Sequence, residues 1–446
     1  MKIKSPFFKR LGNYQDYFIS SKFDDTNRLQ ELIAITFKKF FEKHNVNSPV
    51  ISPEFSLKYK EFPIKIDIPL LTQDPNCVLD KIIPLFKNCV NWGAPGAMFN
   101  VTPPVNILGV AINTLTTLLN PNLAEDRSGG LTAYAEQEVV KCLGLLVKWD
   151  REKITGMSCF GGKATNIYAI RNAIANCKSV LKDKFTIIEA FYISSERGHP
   201  CHIEAAILQG VCKENNVVIS CDSDGRMNLK SLKYEIEKRI SSGQIFLGIT
   251  LNVGTTMEYV VDDISAIVDV RNEIHDRFNL PYTPLIHADS VLGWPWLFVD
   301  KFDEVVLHNK KILPSTIEKV KKMYNLVKDV VLVDSMGIDF HKLGYTAYQS
   351  SFFITQSNGK LLVDDLKFSQ ISTYKTTLEL SRGAQGVMGA LASILSFGYE
   401  GYINLITNLT NSVEIIRMRL ASHPMLEVLD QNSLGVCNIV TLTHYV

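Results

Sequence analysis

The feature that most constrains the fold is a series of short, continuously apolar segments that alternate with helical patterns from about residue 130 onward. These segments read FTIIEAFYIS, NVVISCD, IFLGITLNV, PLIHAD, DVVLVDS and SFFIT. Strands that are apolar on both faces, with helices between them, are typical of a mostly parallel sheet covered on both sides. The sequence therefore predicts an α/β fold, in which ligands bind beyond the carboxyl ends of the strands.

Two further helices are predicted outside this region, in TNRLQELIAITFKKFFEKH and in ILGVAINTLTTLLN, because apolar residues recur there at helical spacing. The first of these lies in residues 1–90, which carry no motif of chemical interest. A later segment, KFDEVVLHNKKILPSTIEKVKKMYN, is also interpreted as helical.

Charge and cysteine content narrow the class of protein. The 446 residues include 47 Lys and Arg against 46 Asp and Glu, so the formal net charge is +1 and no basic field indicates nucleic acid or a membrane surface. We expect no membrane span and no signal peptide, since no apolar run has the required length and position. Nine scattered cysteines without a CxxC pair favour reduced thiols over disulfides or a metal site. These features predict a cytoplasmic protein whose partners are small molecules or another copy of itself.

The stretch DSMGIDFHKLGYTAYQSSFFIT places His341 and Lys342 side by side between two predicted strands, DVVLV and SFFIT. A lysine in this position is either a solvated loop charge or a chemical tool. A second stretch, FGGKATNIYAIRNA, places Gly161 and Gly162 before a predicted helix. Free amide groups at such a helix N-terminus can hold a phosphate, although two glycines before a helix are also ordinary turn residues.

Three more stretches contribute single candidate residues. His199 follows a strand and precedes a helix in SSERGHPCHIEAA, and Thr256 ends LNVGTT. Asp289 ends the apolar strand PLIHAD, where a buried carboxylate needs a partner such as a protonated ring nitrogen. The five stretches are explained together if the ligand is pyridoxal 5'-phosphate (PLP). This cofactor needs a lysine for its aldehyde, a carboxylate for its ring nitrogen, a flat group over the ring and an anion-binding turn for its phosphate.

The ordered set FGGKATNIYAIRNA, SSERGHPCHIEAA, LNVGTTMEYVVDDI, LIHADS, DSMGIDFHKLGY and TLELSRGAQGVMGALASILSFGYEGY resembles the group II PLP-dependent amino-acid decarboxylases across about residues 90–402. This family includes glutamate, aromatic amino-acid, histidine and tyrosine decarboxylases, and HKLGYTAYQSS is most similar to the tyrosine branch. The resemblance implies that Lys342 forms the Schiff base, Asp289 pairs with the ring nitrogen and His199 stacks on the ring. It further implies that Gly162, Lys163 and His341 lie near the phosphate, and Thr256 near the ring substituents.

The same resemblance implies a fold-type I architecture and a homodimer with the site at the subunit interface. It divides the chain into an N-terminal helical segment (1–90), a large PLP-binding α/β domain (91–398) and an abbreviated small domain (399–446). The last segment ends partway through the expected domain, so the protein is either truncated or has a shortened small domain.

Several departures from the family pattern bear on activity. Lys163 replaces the usual Ser or Thr, and Ala94–Pro95 replaces a His-Pro pair. The Asp289 to Lys342 separation is long, with KFDEVVLHNKKILPSTIEKVKKMYN as an inserted helical element that adds surface without moving the site. The segment in which relatives hold a mobile lid is short. The resemblance implies that its Tyr374 donates a proton to the substrate carbon, and the alternative is a tyrosine whose ring packs under the loop. Amino-acid decarboxylation is the favoured function. Oxidative deamination, carbon-carbon lyase chemistry and a PLP-binding pseudoenzyme stay open.

Overall fold

A computed structural model describes residues 23–43, 68–86, 89–94, 97, 101–356, 376–428, 434–435 and 440–442. The chain divides into two compact units, Met1–Asn100 and Val101–Val446. None of the helices within these described ranges combines the length and apolar character that a bilayer crossing requires. The three-part division expected from the sequence stays a prediction.

The first unit contains helices α1 (Phe23–Lys43) and α2 (Pro75–Ile82), and α2 continues as a 3-10 turn over Ile83–Phe86. The carboxylate of Asp74 caps α2 by accepting the amide of Asn76 at 2.8 Å, which satisfies an N–H that the helix itself leaves free. Lys39 of α1 donates to Asp80 of α2 at 2.9 Å. The helix predicted in TNRLQELIAITFKKFFEKH is thus confirmed.

The second unit is built on a seven-stranded sheet. Its strands are β1 (Ile154–Cys159), β2 (Ala190–Ser195), β3 (Asn216–Ile219), β4 (Ile245–Asn252), β5 (Leu285–Asp289), β6 (Ser335–Asp339) and β7 (Ser351–Gln356). They lie in the order β1-β7-β6-β5-β4-β2-β3. The pairs from β6 to β3 are parallel, and β7 is antiparallel to both of its neighbours. The mostly parallel sheet predicted from the apolar segments is confirmed.

Helices cover both faces of this sheet, as adjacent residues of β4 show. The helices are α3 (Ile107–Leu119), α4 (Asp126–Gly129), α5 (Leu131–Leu146), α6 (Gly162–Leu181), α7 (Cys201–Leu208), α8 (Leu229–Ser241), α9 (Ile264–Arg277), α10 (Pro314–Val327) and α11 (Gln385–Ala421). Leu247 shares an apolar cluster with Ile170 of α6, whereas Phe246 belongs to the main core with Ile236 of α8. Successive side chains of a strand point to opposite faces, so each face has its own core. A short antiparallel pair, β8 (Leu426–Val428) and β9 (Val440–Leu442), follows α11.

Two strand predictions need correction, and one strand was not predicted. The segment DVVLV is not a strand: Lys328–Leu332 forms a 3-10 helix, and β6 begins only at Ser335. Likewise FTIIEAFYIS begins with a 3-10 turn, and β1, with sequence ITGMSC, was not predicted at all. Val330 and Val333 are fully buried without belonging to a strand, so apolar character alone did not distinguish a buried turn from a buried strand.

The segment between β5 and β6 forms the predicted inserted helix, α10. Its Val320 and Met323 are buried in the main core, so the insertion supplies core as well as surface. Two asparagines of α11 hold the loop before α10: Asn404 accepts the amide of His308 at 2.8 Å, and Asn411 accepts that of Leu313 at 2.9 Å.

Candidate active site

A cleft with an empty volume of about 720 Å³, counting the solvent at its mouth, lies where β4, β5 and β6 end and where α6 and α7 begin. It is lined by Gly162, Lys163, His199, Cys201, Asn252, Gly254, Thr255, Thr256, Asp289, Val291, Asp339, His341, Lys342 and Tyr348. Seven of the eight predicted site residues are in this set. The eighth, Tyr374, lies outside the described residues, as do Pro95 and residues 357–375 of the predicted lid.

Lys342 lies in the turn that follows β6, and its ammonium is paired with the last residue of that strand. The Lys342 Nζ atom lies 3.0 Å from Oδ2 of Asp339, whose side chain is 1% exposed. Oδ1 of Asp339 accepts the hydroxyl of Ser351 at 2.6 Å, which fixes the carboxylate plane. The Lys342 side chain is 19% exposed and its ammonium is held by an ion pair. This arrangement differs from that of a lysine on a solvated loop.

His341 lies on the same carboxylate. Its Nε2 atom is 3.4 Å from Oδ2 of Asp339, and its Nδ1 atom is 3.1 Å from the carbonyl oxygen of Ser350. Burial lowers the pKa of His341, and the Lys342 charge lowers it further against the opposing effect of Asp339. The centre of the Tyr348 ring lies 4.4 Å from that of the His341 ring, and the Tyr348 hydroxyl lies 2.8 Å from the Thr102 hydroxyl.

Asp289 is the last residue of β5 and is almost completely buried. Its Oδ2 atom lies 2.6 Å from Nε2 of His202 and accepts a hydrogen bond from Asn166 at 3.3 Å. Burial opposes ionisation of this carboxyl, but His202 and Lys342 outweigh it and hold the pKa of Asp289 below its usual range. Asp289 is therefore a buried carboxylate that stays ionised at neutral pH.

A buried network of hydrogen bonds holds the Asp289 carboxylate in place. Asn166 donates to Oδ2 of Asp289, and its own oxygen accepts the Thr250 hydroxyl at 3.4 Å, which in turn lies 3.0 Å from the Tyr192 hydroxyl. Burial raises the pKa of Tyr192, so this end of the network stays neutral. The network joins α6, β2, β4 and β5, and it fixes the carboxylate relative to the sheet.

Cys201 belongs to the same cluster. Ligand atoms of Cys201, His202 and Asp289 lie within 4.8 Å of one another. Burial, and then the Asp289 charge, raise the pKa of the Cys201 thiol. Asn166 donates to the Cys201 sulfur at 3.8 Å and to Oδ2 of Asp289, so Cys201 adjoins the polar network without a direct bond to the carboxylate.

His199 lies at the beginning of α7 with its ring orientation fixed. The amide of Cys201 donates to Nδ1 of His199 at 3.1 Å, so the proton of the neutral ring is on Nε2. Burial lowers the pKa of His199, with the Asp289 charge opposing, which favours the neutral ring. The side chain is thus a flat, uncharged group on the wall of the cleft.

The glycine turn forms the N-terminus of α6. Gly161 has φ of +140°, in the region that favours glycine, and Gly162 begins the helix. A Cβ atom on Gly162 would come within 2.9 Å of Oδ2 of Asp339 and 3.1 Å of Val291, so no side chain fits there. The 20-residue helix thus presents its amide end to the cleft without obstruction, which suits an anion.

Lys163 lines the cleft, but its ammonium is directed to a neighbouring helix. The Nζ atom lies 2.5 Å from Oε2 of Glu204 on α7, and both side chains are about half-exposed. Thr256 lies in the turn after β4, next to Thr255, whose hydroxyl accepts the amide of Val260 at 3.0 Å.

Sequence reasoning missed His202, Asn166, Asp339 and Tyr348. Asp339 stands three residues before Lys342 within the same motif, and His202 stands three residues after His199, nearly one helical turn. Each spacing was visible, but the partner of each side chain depends on how distant strands and helices pack.

The class of protein follows first from the fold. The crystal structure of the glutamate decarboxylase domain of diaminobutyrate-pyruvate transaminase and L-2,4-diaminobutyrate decarboxylase from Vibrio parahaemolyticus matches 97% of this chain and 86% of its own, with a TM-score of 0.78 at 18% identity. The crystal structure of Oryza sativa TDC with PLP matches 92% and 82%, with a TM-score of 0.74 at 13% identity. The fold is thus that of the PLP-dependent decarboxylases, and the fold-type I prediction is confirmed.

The relatives in sequence are amino-acid decarboxylases. The L-2,4-diaminobutyrate decarboxylase of Rhizobium meliloti (strain 1021) is 24% identical over 215 residues, which are 48% of this chain and 41% of that protein. The chain therefore spans less than half the length of this curated relative. No family model matches the chain. The resemblance to amino-acid decarboxylases that the motifs indicated is confirmed by these similarities.

Proposed function

We propose that this chain is a PLP-dependent enzyme that converts an L-amino acid into its amine and carbon dioxide. The observation that carries the proposal is the convergence of the Lys342 amine, the Asp289 carboxylate, the His199 ring and the Gly161–Gly162 turn on one cleft. These four groups come from separate parts of the chain and match the four requirements of the cofactor. The similarity to amino-acid decarboxylases supports the same reaction.

The residues of the cleft fit the cofactor. Within the described residues, Oδ1 of Asp289 accepts only the amide of Val291 at 3.4 Å, so this buried oxygen has capacity for a further donor such as a protonated ring nitrogen. The amide end of α6 and the absence of room for a side chain at Gly162 suit a phosphate group. Lys342 and His341, in the turn after β6, line the same cleft as this end of α6.

When bound, the cofactor would supply an electron sink for the electron pair that the departing carboxylate leaves on the substrate carbon. Asp289, ionised because of His202 and Lys342, would keep the proton on the ring nitrogen. Lys342 would hold the cofactor aldehyde, and its ion pair with Asp339 orients the amine beforehand. His199, fixed by the amide of Cys201, would pack on the ring.

A proton must return to the substrate carbon after carbon dioxide leaves. We assign this step to Tyr374 on the basis of the family resemblance, and this residue lies outside the described residues. His199 is the next candidate because its Nε2–H lies in the cleft wall. In Tyr374→Phe, amine formation would fall while aldehyde and peroxide rise.

The proposal includes a cytoplasmic homodimer. Support comes from a set of exposed apolar side chains on α3 and at the start of α5: Ile107, Leu119 and Leu131 are 86%, 71% and 84% exposed. Exposed apolar side chains are common at interaction surfaces, and a second copy of the chain is the proposed partner.

The function is tested by incubating the PLP-loaded protein with each common L-amino acid and with L-2,4-diaminobutyrate, while amine and carbon dioxide are measured. We expect equimolar amine and carbon dioxide from at least one substrate, and neither product from Lys342→Ala. Aldehyde and peroxide in place of amine would favour oxidative deamination. A PLP-loaded protein that forms no product with any substrate would favour the pseudoenzyme alternative.

A further inference from the structure

A buried histidine, His202, lies against the cleft, and the function proposed above uses its effect on the ionisation of Asp289 but not the direction of its hydrogen bond. Its side chain is 1% exposed, and its Nε2 atom lies 2.6 Å from Oδ2 of Asp289, whose side chain is 8% exposed. Both partners are therefore out of water, where a charge-assisted hydrogen bond is stronger and the loss of one partner more costly.

The proton arrangement of this pair follows from its contacts. The 2.6 Å separation requires a hydrogen between Nε2 and the carboxylate, so Nε2 carries a proton. The Nδ1 atom of His202 is buried and has no hydrogen-bond partner among the described residues. The histidine is thus committed to one partner, the Asp289 carboxylate.

The two oxygens of Asp289 are consequently different. Oδ2 receives two side-chain donors, His202 and Asn166, whereas the long contact from the Val291 amide is the one that Oδ1 makes within the described part of the chain. A donor held on one oxygen fixes the rotation of the carboxylate about its side-chain bond. The other oxygen is then left as the acceptor that a ligand would find.

The local backbone accommodates the ring of His202 at one specific position. A Cβ atom on Gly198 would lie 2.6 Å from Nδ1 and 2.9 Å from Cε1 of His202. Glycine at 198 thus leaves the space in which the imidazole lies, and any larger residue there would displace the ring.

We propose that His202 is a positioning residue, which holds the Asp289 carboxylate ionised and rotated so that one oxygen is reserved for the ring nitrogen of the cofactor. The inference rests on the proposed function, because it concerns the same cleft and cofactor. It assigns His202 an effect that depends on the ring nitrogen and not on the rest of the cofactor.

The test compares equilibrium binding of PLP with binding of 1-deaza-PLP, in which carbon replaces the ring nitrogen, to the full cofactor-free chain. In His202→Leu we expect PLP affinity to fall by about tenfold to a hundredfold, the range for a hydrogen bond to a charged group, while deaza-PLP affinity changes by less than about threefold. Cys201→Ala is the matched control, because this neighbour lines the same cleft without a bond to Asp289. It should leave the ratio of the two affinities unchanged.

Gly198→Ala provides a second, independent variant that retains the histidine. In the wild-type background, Gly198→Ala should lower the affinity for PLP more than the affinity for deaza-PLP. In the His202→Leu background it should lower both affinities equally or not at all. The measurement on Gly198→Ala in the wild-type background keeps the test informative where His202→Leu folds poorly.

The outcomes distinguish the inference from the function on which it rests. A wild-type preference for PLP over deaza-PLP that persists in both the His202 and Gly198 variants would overturn the inference alone. Equal weakening of both ligands in both variants would overturn it as well, since that is the signature of general damage to the cleft. A wild-type chain that binds neither ligand would overturn the proposed function itself.

Discussion

The ammonium of Lys342 and the carboxylate of Asp339 form an ion pair at 3.0 Å, with the carboxylate 1% and the lysine 19% exposed. Removal of one partner of such a pair leaves the other charge buried without compensation. We expect Asp339→Asn to lower the free energy of unfolding of the cofactor-free protein by about 3 kcal/mol, measured by urea unfolding. Ser351→Ala, which removes a neutral donor from the same carboxylate, should cost about 1 kcal/mol.

Pairing Asp339→Asn with Lys342→Met removes both charges and should recover much of the lost stability. An Asp339→Asn protein as stable as the wild type would show that water, and not Asp339, compensates the ammonium.

Lys342 is expected to be the residue that holds the cofactor. Borohydride reduction of the PLP-loaded protein, followed by peptide mapping, should find the pyridoxyl group on Lys342. Lys163→Ala should give the same map, because the Lys163 ammonium is directed to Glu204 at 2.5 Å. A pyridoxyl group on Lys163 would contradict the assignment of both lysines.

Asp289→Asn tests the proposed role of a carboxylate beneath the ring nitrogen. Asparagine has nearly the same shape but no charge, so it cannot raise the pKa of the ring nitrogen. We expect the fold and much of the bound cofactor to persist, with amine formation reduced on the order of a hundredfold or more. Near-normal amine formation, with circular dichroism unchanged, would show that another group protonates the ring.

His287 predicts a specific pH dependence of stability. Burial lowers the pKa of His287 to about 3, against a usual value near 6.5 in the unfolded chain. Between these values the unfolded state binds a proton that the folded state does not, so stability falls as pH falls, by about 1.4 kcal/mol per pH unit. In His287→Gln this contribution is absent.

Urea unfolding at pH 6.5 and pH 4.5 would measure the effect. The wild type should lose about 2–3 kcal/mol more than His287→Gln over this interval, because other titrating groups contribute equally to both proteins and cancel. Equal losses in the two proteins would mean that His287 is protonated in the folded state.

The proposed homodimer is expected to depend on α3. A glutamate in place of Ile107 or Leu119 would introduce a charge into each copy of the apolar surface and weaken association by about a hundredfold, since a buried isoleucine or leucine contributes about 1.5–3 kcal/mol. Light scattering after gel filtration would report the mass. Ile188→Glu, at an exposed apolar residue before β2, is the control and should remain dimeric.

Much of the cleft was predictable because the parallel sheet brings distant motifs to one edge. Asp289 ends β5, and the turn that carries Lys342 follows the neighbouring strand β6. The two strands pair in parallel through Asp289 and Gly337. The carboxyl ends of neighbouring parallel strands lie at the same edge of the sheet, however many residues of chain separate the two strands. The long separation of Asp289 from Lys342 therefore did not weaken the prediction.

The interactions of individual side chains were not predictable. His202 bonds to Asp289 only because α7 packs its first turn against β5, and Lys163 pairs with Glu204 because α6 and α7 are neighbours. Neither contact has a local sequence signal. The strand error at DVVLV has a related cause, since burial of Val330 and Val333 is decided by the surrounding core and not by local conformation.

The position of β7 in the sheet has a consequence for synthesis of the chain. β1 has β7 as its sole neighbour within this sheet, yet roughly 190 residues separate Cys159 from Ser351, a stretch that takes roughly 10–40 s to translate at 5–20 residues per second. During that interval β1 has left the ribosome before its strand partner exists. Among the described strands none pairs with β1 until β7 is made, so strand pairing at β1 is a late step of folding.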